Sequence, residues 1–215
     1  MRLPLLAALL LASCCVPRPA PPPRTTVVVT NRKAAPVVVY VTFGSDSKVT
    51  AKDWSSFCAG SGLACSFSLG ATTSRPLPTN GAYLNATFAF GAPVGCGVTK
   101  GEVNVNNPAW FDTMDVSLVD GFNHKVGIVY TPPASADAGG AVALGPPLGA
   151  AGNEKVLGVY PFGCDVCVAR QSPPCGIPVG KDGCKAGTQS NPSPPCQVQG
   201  AVKGGGGAVE VILFP

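Results

Sequence analysis

The chain is poor in charge, in histidine and in long apolar runs, and each shortage closes off a class of function. Charged residues make up 12% of its 215 positions. Its lysines and arginines are scattered with no basic cluster, which argues against a nucleic-acid partner. His124 is the only histidine, so any Ser-His-Asp or Cys-His mechanism would have to use it, and no nucleophile motif such as G-x-S-x-G is present. A turn residue beside an acidic strand is the better reading of His124. As a metal ligand it would stand alone, and neither a metal site nor a cofactor is expected. Past the N-terminus no stretch approaches the roughly 18 apolar residues that read as a membrane-spanning helix. Gly204, Gly205, Gly206 and Gly207 lack the following Lys-Ser/Thr of a phosphate loop, and a flexible connection fits them.

Glycine, proline and cysteine are plentiful instead, at 27, 23 and 10 residues. Gly and Pro both penalise helix interiors, so the chain reads as turn-rich and helix-poor. Its hydrophobic share of 46% is enough to build a core, which separates it from disordered chains of similar Gly and Pro content.

The N-terminus reads as an export signal. Met1 and Arg2 supply a positive start, residues 3–12 are almost wholly apolar, and Leu11-Ala12-Ser13-Cys14 is similar to a bacterial lipobox, in which the cysteine thiol takes a lipid. An ordinary cleaved signal peptide is the alternative. After Cys14 the run Cys15-Val16-Pro17-Arg18-Pro19-Ala20-Pro21-Pro22-Pro23-Arg24 cannot form helix or sheet and behaves as a semi-rigid spacer. The expected organisation is therefore a signal peptide at 1–13, a lipidated Cys14 with a proline-rich tether at 14–24, and one domain at 25–215. Contact with a membrane would be through the N-terminal lipid only, with the domain in the cell envelope, or secreted if Cys14 is not acylated.

Export makes the remaining cysteines readable as disulfides. With Cys14 and Cys15 set aside, Cys58, Cys65, Cys96, Cys164, Cys167, Cys175, Cys184 and Cys196 allow four bridges in 105 connectivities. Cys58 and Cys65 are close enough to close a local loop. The five between 164 and 196 sit among Gly and Pro, where covalent staples substitute for a core. Five is odd, so at least one reaches back, and Cys96 is the candidate partner. A zinc site at Cys164-x-x-Cys167 lacks its second Cys-x-x-Cys, and no βαβ pattern supports a thioredoxin-like role.

Short β-branched or alternating runs recur along the domain: 25–30, 37–43, 83–90, 102–106, 115–118, 126–130, 156–160 and 209–214. In 83–90, Leu84, Ala86, Phe88 and Phe90 share one face, the pattern of a half-buried strand. Residues 31–36 read as a hairpin or corner between the first two strands. Residues 134–152 read as an Ala/Gly/Pro loop, and 164–196 as an irregular cysteine-rich subregion. The set suggests a sandwich or barrel. Asn85-Ala86-Thr87 fits a glycosylation sequon inside a strand.

Although the net charge is +4, residues 102–120 hold Glu102, Asp112, Asp115 and Asp120 and no Lys or Arg. Carboxylates gathered on one side of a sheet could hold a cation, orient sugar hydroxyls or work as an acid and base pair. A solvated strand face ending in an Asx turn at Asp120-Gly121 is the plainer alternative. Trp110 and Phe111, beside Asp112, are the best candidates for a sugar-stacking platform, ahead of Trp54 and Tyr83.

Here the residues resemble a family. Asp115-Val116-Ser117-Leu118-Val119-Asp120-Gly121-Phe122-Asn123 is similar to the DVSLVDGFN segment of thaumatin-like proteins, with nine consecutive identities. Thr99-Lys100-Gly101-Glu102-Val103-Asn104-Val105-Asn106 resembles that family's TLAEFTLN strand, at the same thirteen-residue interval from Glu102 to Asp115. Val29-Thr30-Asn31-Arg32 resembles its first strand and turn, and residues 209–215 resemble its closing YRVVFCP without the cysteine. The family's T-G-D-C core has no counterpart. The resemblance implies an all-β, flattened thaumatin-like sandwich with a disulfide-rich loop region beside an acidic cleft. In that cleft Glu102, Asp115 and Asp120 match three of five typical residues, while the Arg and the last Asp find no position.

The expected function is non-catalytic binding of a polysaccharide or a cell-surface protein at this acidic side. The alternatives are a β-glucan hydrolase with Glu102 as acid and Asp115 as nucleophile or base, and a structural surface protein with no small ligand.

Overall fold

The computed structural model describes residues 24–95, 97–117, 123–133 and 206–215 in full, and residues 141–144, 155–160 and 197–202 as strands. Cys14, the tether up to Pro23, Asp120, Cys96 and the cysteines from 164 to 196 lie outside the described residues.

Among the described residues the chain is all-β, with thirteen strands in two sheets. The five-stranded sheet runs β11 (Lys155–Tyr160), β9 (Val126–Thr131), β13 (Ala208–Leu213), β1 (Thr26–Asn31) and β5 (Thr73–Leu77). The eight-stranded sheet runs β10 (Ala141–Leu144), β12 (Gln197–Val202), β8 (Asp112–Ser117), β7 (Lys100–Val105), β6 (Leu84–Phe90), β2 (Val37–Phe43), β4 (Ala64–Leu69) and β3 (Ala59–Ser61). The first and last strands, β1 and β13, pair in parallel; the other pairings are antiparallel. No helix among the described residues is long and apolar enough to cross a membrane.

Period-two alternation does the sorting. Val27, Val29, Val209, Val211, Leu213, Val126 and Ile128 turn inward from the smaller sheet. Val39, Val41, Phe43, Leu84, Ala86, Phe88, Phe90, Val103, Val105, Met114 and Val116 meet them from the larger one. Gly101 stands in the same inward row as Phe88 and Val116. A Cβ there would lie 2.9 Å from Val211 Cγ1, so the missing side chain is what lets the two sheets approach.

The two readings of residues 31–36 are separated by the structure. β1 and β2 belong to different sheets, so the turn is a corner that carries the chain across the sandwich. Asn31 makes it: its amide donates to the carbonyls of Ala35 (2.8 Å) and Gly70 (2.9 Å), and its Oδ1 accepts from Lys33 N (2.9 Å).

Three expectations need correction. Residues 141–144, expected within a loop, form β10 on β12. The sequence reading also passed over β3, β4, β5 and β12. Finally, Gly206 and Gly207 are not a slack connection. Both have positive φ (101° and 88°), and a Cβ on Gly207 would lie 2.3 Å from the Thr131 carbonyl oxygen, so the last two glycines of the run are packed in place.

Cys58 and Cys65 form the expected local disulfide, with Cα atoms 5.6 Å apart. It closes the β3–β4 hairpin beside an aromatic cluster. Trp54 packs on Phe43 and Phe57 (ring centroids 5.0 and 5.7 Å), and Phe57 on Phe67 (5.5 Å). Arg75 pairs with Val29 on the inward side of edge strand β5. Its guanidinium lies 5.2 Å from the Phe57 ring centroid and 5.4 Å from that of Phe67, so a cation seals the open edge through the faces of two rings.

Candidate functional site

Strand register places two of the three predicted cleft acids side by side. Glu102 on β7 pairs directly with Asp115 on β8, and Glu102 pairs with Thr87 on β6. Thr42 on β2 continues the row beyond Thr87, and Gln199 on β12 holds the position next to Asp115. Directly opposed residues of an antiparallel pair share a face. Thr42, Thr87, Glu102 and Asp115 therefore lie on the face of the large sheet turned away from the core, because Val41, Phe88, Val103 and Met114 occupy the inward one.

The neighbouring rows are polar as well. Asn85, Asn104 and Thr113 align on one side, and Lys100 and Ser117 on the other. Lys100 Nζ stands 3.3 Å from Glu102 Oε1, an ion pair along β7. Asp115 and Ser117 are only 8% and 2% exposed although they face outward. Glu102 is accessible; Asp115 is covered.

A hydrogen-bonded cluster extends this face. Asn104 Nδ2 donates to Tyr83 Oη (3.0 Å), Tyr83 Oη donates to Asp46 Oδ2 (2.8 Å), and Asn85 Nδ2 donates to Asp46 Oδ1 (2.8 Å). These bonds to Tyr83 and Asn85 hold the Asp46 carboxyl below the usual aspartate range. Burial, followed by the bond to Asp46, pushes the Tyr83 phenol up. The same network occupies the glycosylation sequon: the Asn85 amide is engaged on a strand inside the sheet.

The other predicted residues are separated from this row. Trp110 and Phe111 lie in the β7–β8 loop, with Trp110 69% exposed and the two rings edge to face at 5.5 Å. Asp112 is buried at the start of β8. It accepts from Thr25 Oγ1 (2.5 Å) and from the Asn106 backbone N–H (2.7 Å). Burial pushes its carboxyl above the ordinary aspartate value, and the bonds from Thr25 and Asn106 oppose that rise. Asn106 Oδ1 accepts from Thr25 N (2.8 Å), Gly206 N donates to Thr25 Oγ1 (3.0 Å), and Tyr130 Oη donates to the Gly206 carbonyl (3.0 Å). Asp112 thus locks strands from both sheets together where the chain enters the domain.

Sequence reasoning gave no role to Asn123, the final residue of the DVSLVDGFN-like segment. Its Oδ1 accepts from Thr99 N (3.1 Å) and its Nδ2 donates to the Phe90 carbonyl (2.8 Å). His124 follows, with Nδ1 3.0 Å from Lys33 Nζ. That lone pair accepts from the ammonium, and burial, then Lys33, hold the imidazole below its ordinary value. His124 is a turn residue against the corner. Among the described residues no group of three His, Cys, Asp or Glu could hold a metal ion.

Fold and site together define an all-β sandwich with a disulfide-closed hairpin and a polar outward sheet face carrying paired acids. No protein-family model matches the chain, and no curated protein matches it in sequence. Among solved structures it is similar to the thaumatin-like xylanase inhibitor TLXI, with a TM-score of 0.42 and 13% identity, covering 88% of this chain and 99% of that one. It is also similar to the protein elicitor MoHrip2 from Magnaporthe oryzae, with a TM-score of 0.36 and 10% identity, covering 89% of this chain and 99% of that one. At such identities no residue role passes from either protein to this chain.

Proposed function

We propose that this is a thaumatin-like surface protein, held to its membrane by a lipid on Cys14, that binds a polysaccharide or a cell-surface protein without catalysis. The outward face of the large sheet is the binding surface. The observation that carries the reading is the row Thr42, Thr87 and Glu102, in register across three strands, with Asn85, Asn104 and Tyr83 beside it. Hydroxyl, amide and carboxylate groups spaced by strand separation suit a partner that offers repeated hydroxyls or amides along an extended chain.

Burial argues against a hydrolase. Glycosidase carboxyls flank the scissile bond, about 5–9.5 Å apart; the opposed strand positions of Glu102 and Asp115 suit the lower end of that range, but Asp115 is covered and only Glu102 is accessible.

A glycan array probed with the full chain tests the proposal. Selective binding should be lost in Glu102→Gln and Thr87→Val, because both positions lie on the face and outside the core. Equal binding by wild type and both variants would remove this face as the site. Mass spectrometry of the mature N-terminus tests the anchor separately, since a lipidated Cys14 gains the mass of the diacylglycerol on its thiol.

A further inference from the structure

The β7–β8 loop and the domain's entry point are one place in the structure. Asn106, which opens the loop, exchanges hydrogen bonds with Thr25: Thr25 N donates to Asn106 Oδ1 (2.8 Å), and Asn106 Nδ2 donates to the Thr25 carbonyl (2.9 Å). Thr25 is the first residue after the tether. The tip that carries Trp110 and Phe111 therefore stands beside the point at which the chain arrives from Cys14.

That tip exposes more apolar surface than a solvated turn needs. Trp110 is the most exposed large hydrophobic side chain among the described residues, at 69%. Its ring is braced by Phe111, edge to face at an interplanar angle of 87°, so it is presented on a support. Leu63, another exposed large hydrophobic, belongs to the same end of the sheet: β4 begins just after it at Ala64, which pairs with Thr42 near the end of β2. Asp112, next to the tip, keeps its carboxyl turned inward on Thr25 and Asn106. Arg24 is exposed at the same end with its guanidinium donating to the Gly81 carbonyl, a charge whose remaining donors suit anionic lipid headgroups.

We infer that the Trp110–Phe111 tip is a membrane-contact site, with the Trp110 ring seated in the headgroup zone of the bilayer that carries the Cys14 lipid. This rests on the anchored reading above. Tryptophan prefers that zone because its ring is apolar and its N–H can still meet water and headgroups. The ten residues from Cys15 to Arg24 would reach about 30 Å if extended as a polyproline spacer. A single aromatic contact too weak to recruit a free protein becomes an intramolecular event under such a tether. The contact orients the domain with its entry end toward the lipid and the polar sheet face rising beside it.

Trp54 is fully buried, so Trp110 is the tryptophan that solution probes can reach. The lipidated full chain is reconstituted into phosphatidylethanolamine–phosphatidylglycerol vesicles with and without brominated acyl chains, and tryptophan emission is compared for wild type and Trp110→Ala. The inference expects bromine to quench the blue-shifted Trp110 component in wild type and to leave the remaining emission of Trp110→Ala unchanged. Unquenched emission from protein that floats with the vesicles and carries an acylated Cys14 overturns the inference and leaves the anchor standing. Protein that neither floats nor carries the lipid overturns both. An emission shift on adding soluble polysaccharide, with no quenching by bromine, overturns the membrane contact in favour of a sugar at the tip.

Discussion

The Thr25 hydroxyl donates to the Asp112 carboxylate at 2.5 Å, joining residues 87 positions apart. This bond ties the start of β1 in one sheet to the start of β8 in the other. Asp112→Ala would leave the Asn106 N–H without its acceptor and the Thr25 hydroxyl with only its longer contact to the Gly206 carbonyl (3.2 Å), at a cost of about 1–3 kcal/mol for the group left unsatisfied. Asp112→Asn keeps one acceptor and should cost less. Urea denaturation followed by fluorescence measures both. Because burial raises this carboxyl above its ordinary 3.8, its contribution is full below that value and is lost as pH rises through the folded-state pKa. Asp112→Asn should remove that decline from the stability profile.

His124 has the opposite sign. Its folded pKa lies below the ordinary 6.5 through burial and the Lys33 ammonium, so the unfolded chain takes up its proton first. The contribution is present above pH 6.5 and is lost as pH falls toward the folded value. The charged group in contact with it is a cation, since Lys33 Nζ lies 3.0 Å from its Nδ1. Tm measured between pH 5 and 8 should therefore fall less toward acid in His124→Gln than in wild type. Parallel curves would refute this assignment.

Arg75 closes the open edge between β5 and β4. Arg75→Ala removes its contacts with Phe57 and Phe67 and should destabilise by about 1–2 kcal/mol. Arg75→Lys should recover part of that, since the ammonium keeps the charge but not the planar stack. Thermal unfolding of the three proteins, with the Cys58–Cys65 disulfide intact, separates the two contributions.

Gly101 sets how closely the sheets approach. Gly101→Ala places a methyl against Val211 and should cost about 1–3 kcal/mol as an overpacked core. Val211→Ala should cost stability alone, yet offset part of the loss when combined with Gly101→Ala. A strictly additive double mutant would show that the two positions do not meet.

Much of the strand content was legible because a half-buried strand writes its two faces into alternate residues. The expected run at 37–43 coincides with β2, and those at 83–90, 126–130 and 209–214 fall within a residue or two of β6, β9 and β13. Of the strands overlooked, β4 alternates cleanly with Cys65, Phe67 and Leu69 inward, while the others carry weaker patterns. β3 is three exposed residues, β5 contains Pro76 and Arg75, and β10 and β12 are short runs of Ala, Val, Leu, Gly and Gln, which read as loop until a partner strand is known.

The candidate site divides in the same way. Local composition marked Glu102, Asp112 and Asp115 as one acidic group, but alternation along β8 turns Asp112 toward the core and Asp115 toward the outer face. The partnership of Glu102 with Asp115 depends on the register of two strands.

By itself the sequence determined a helix-poor, two-faced β domain, a local Cys58–Cys65 bridge and an acidic stretch, since each is written in residues near one another in the chain. Only the tertiary structure decided that residues 31–36 turn a corner between sheets, that Asp112 is a buried lock, and that Trp110 stands at the domain's entry point. Those outcomes arise from contacts between distant segments, whose energies no local pattern records.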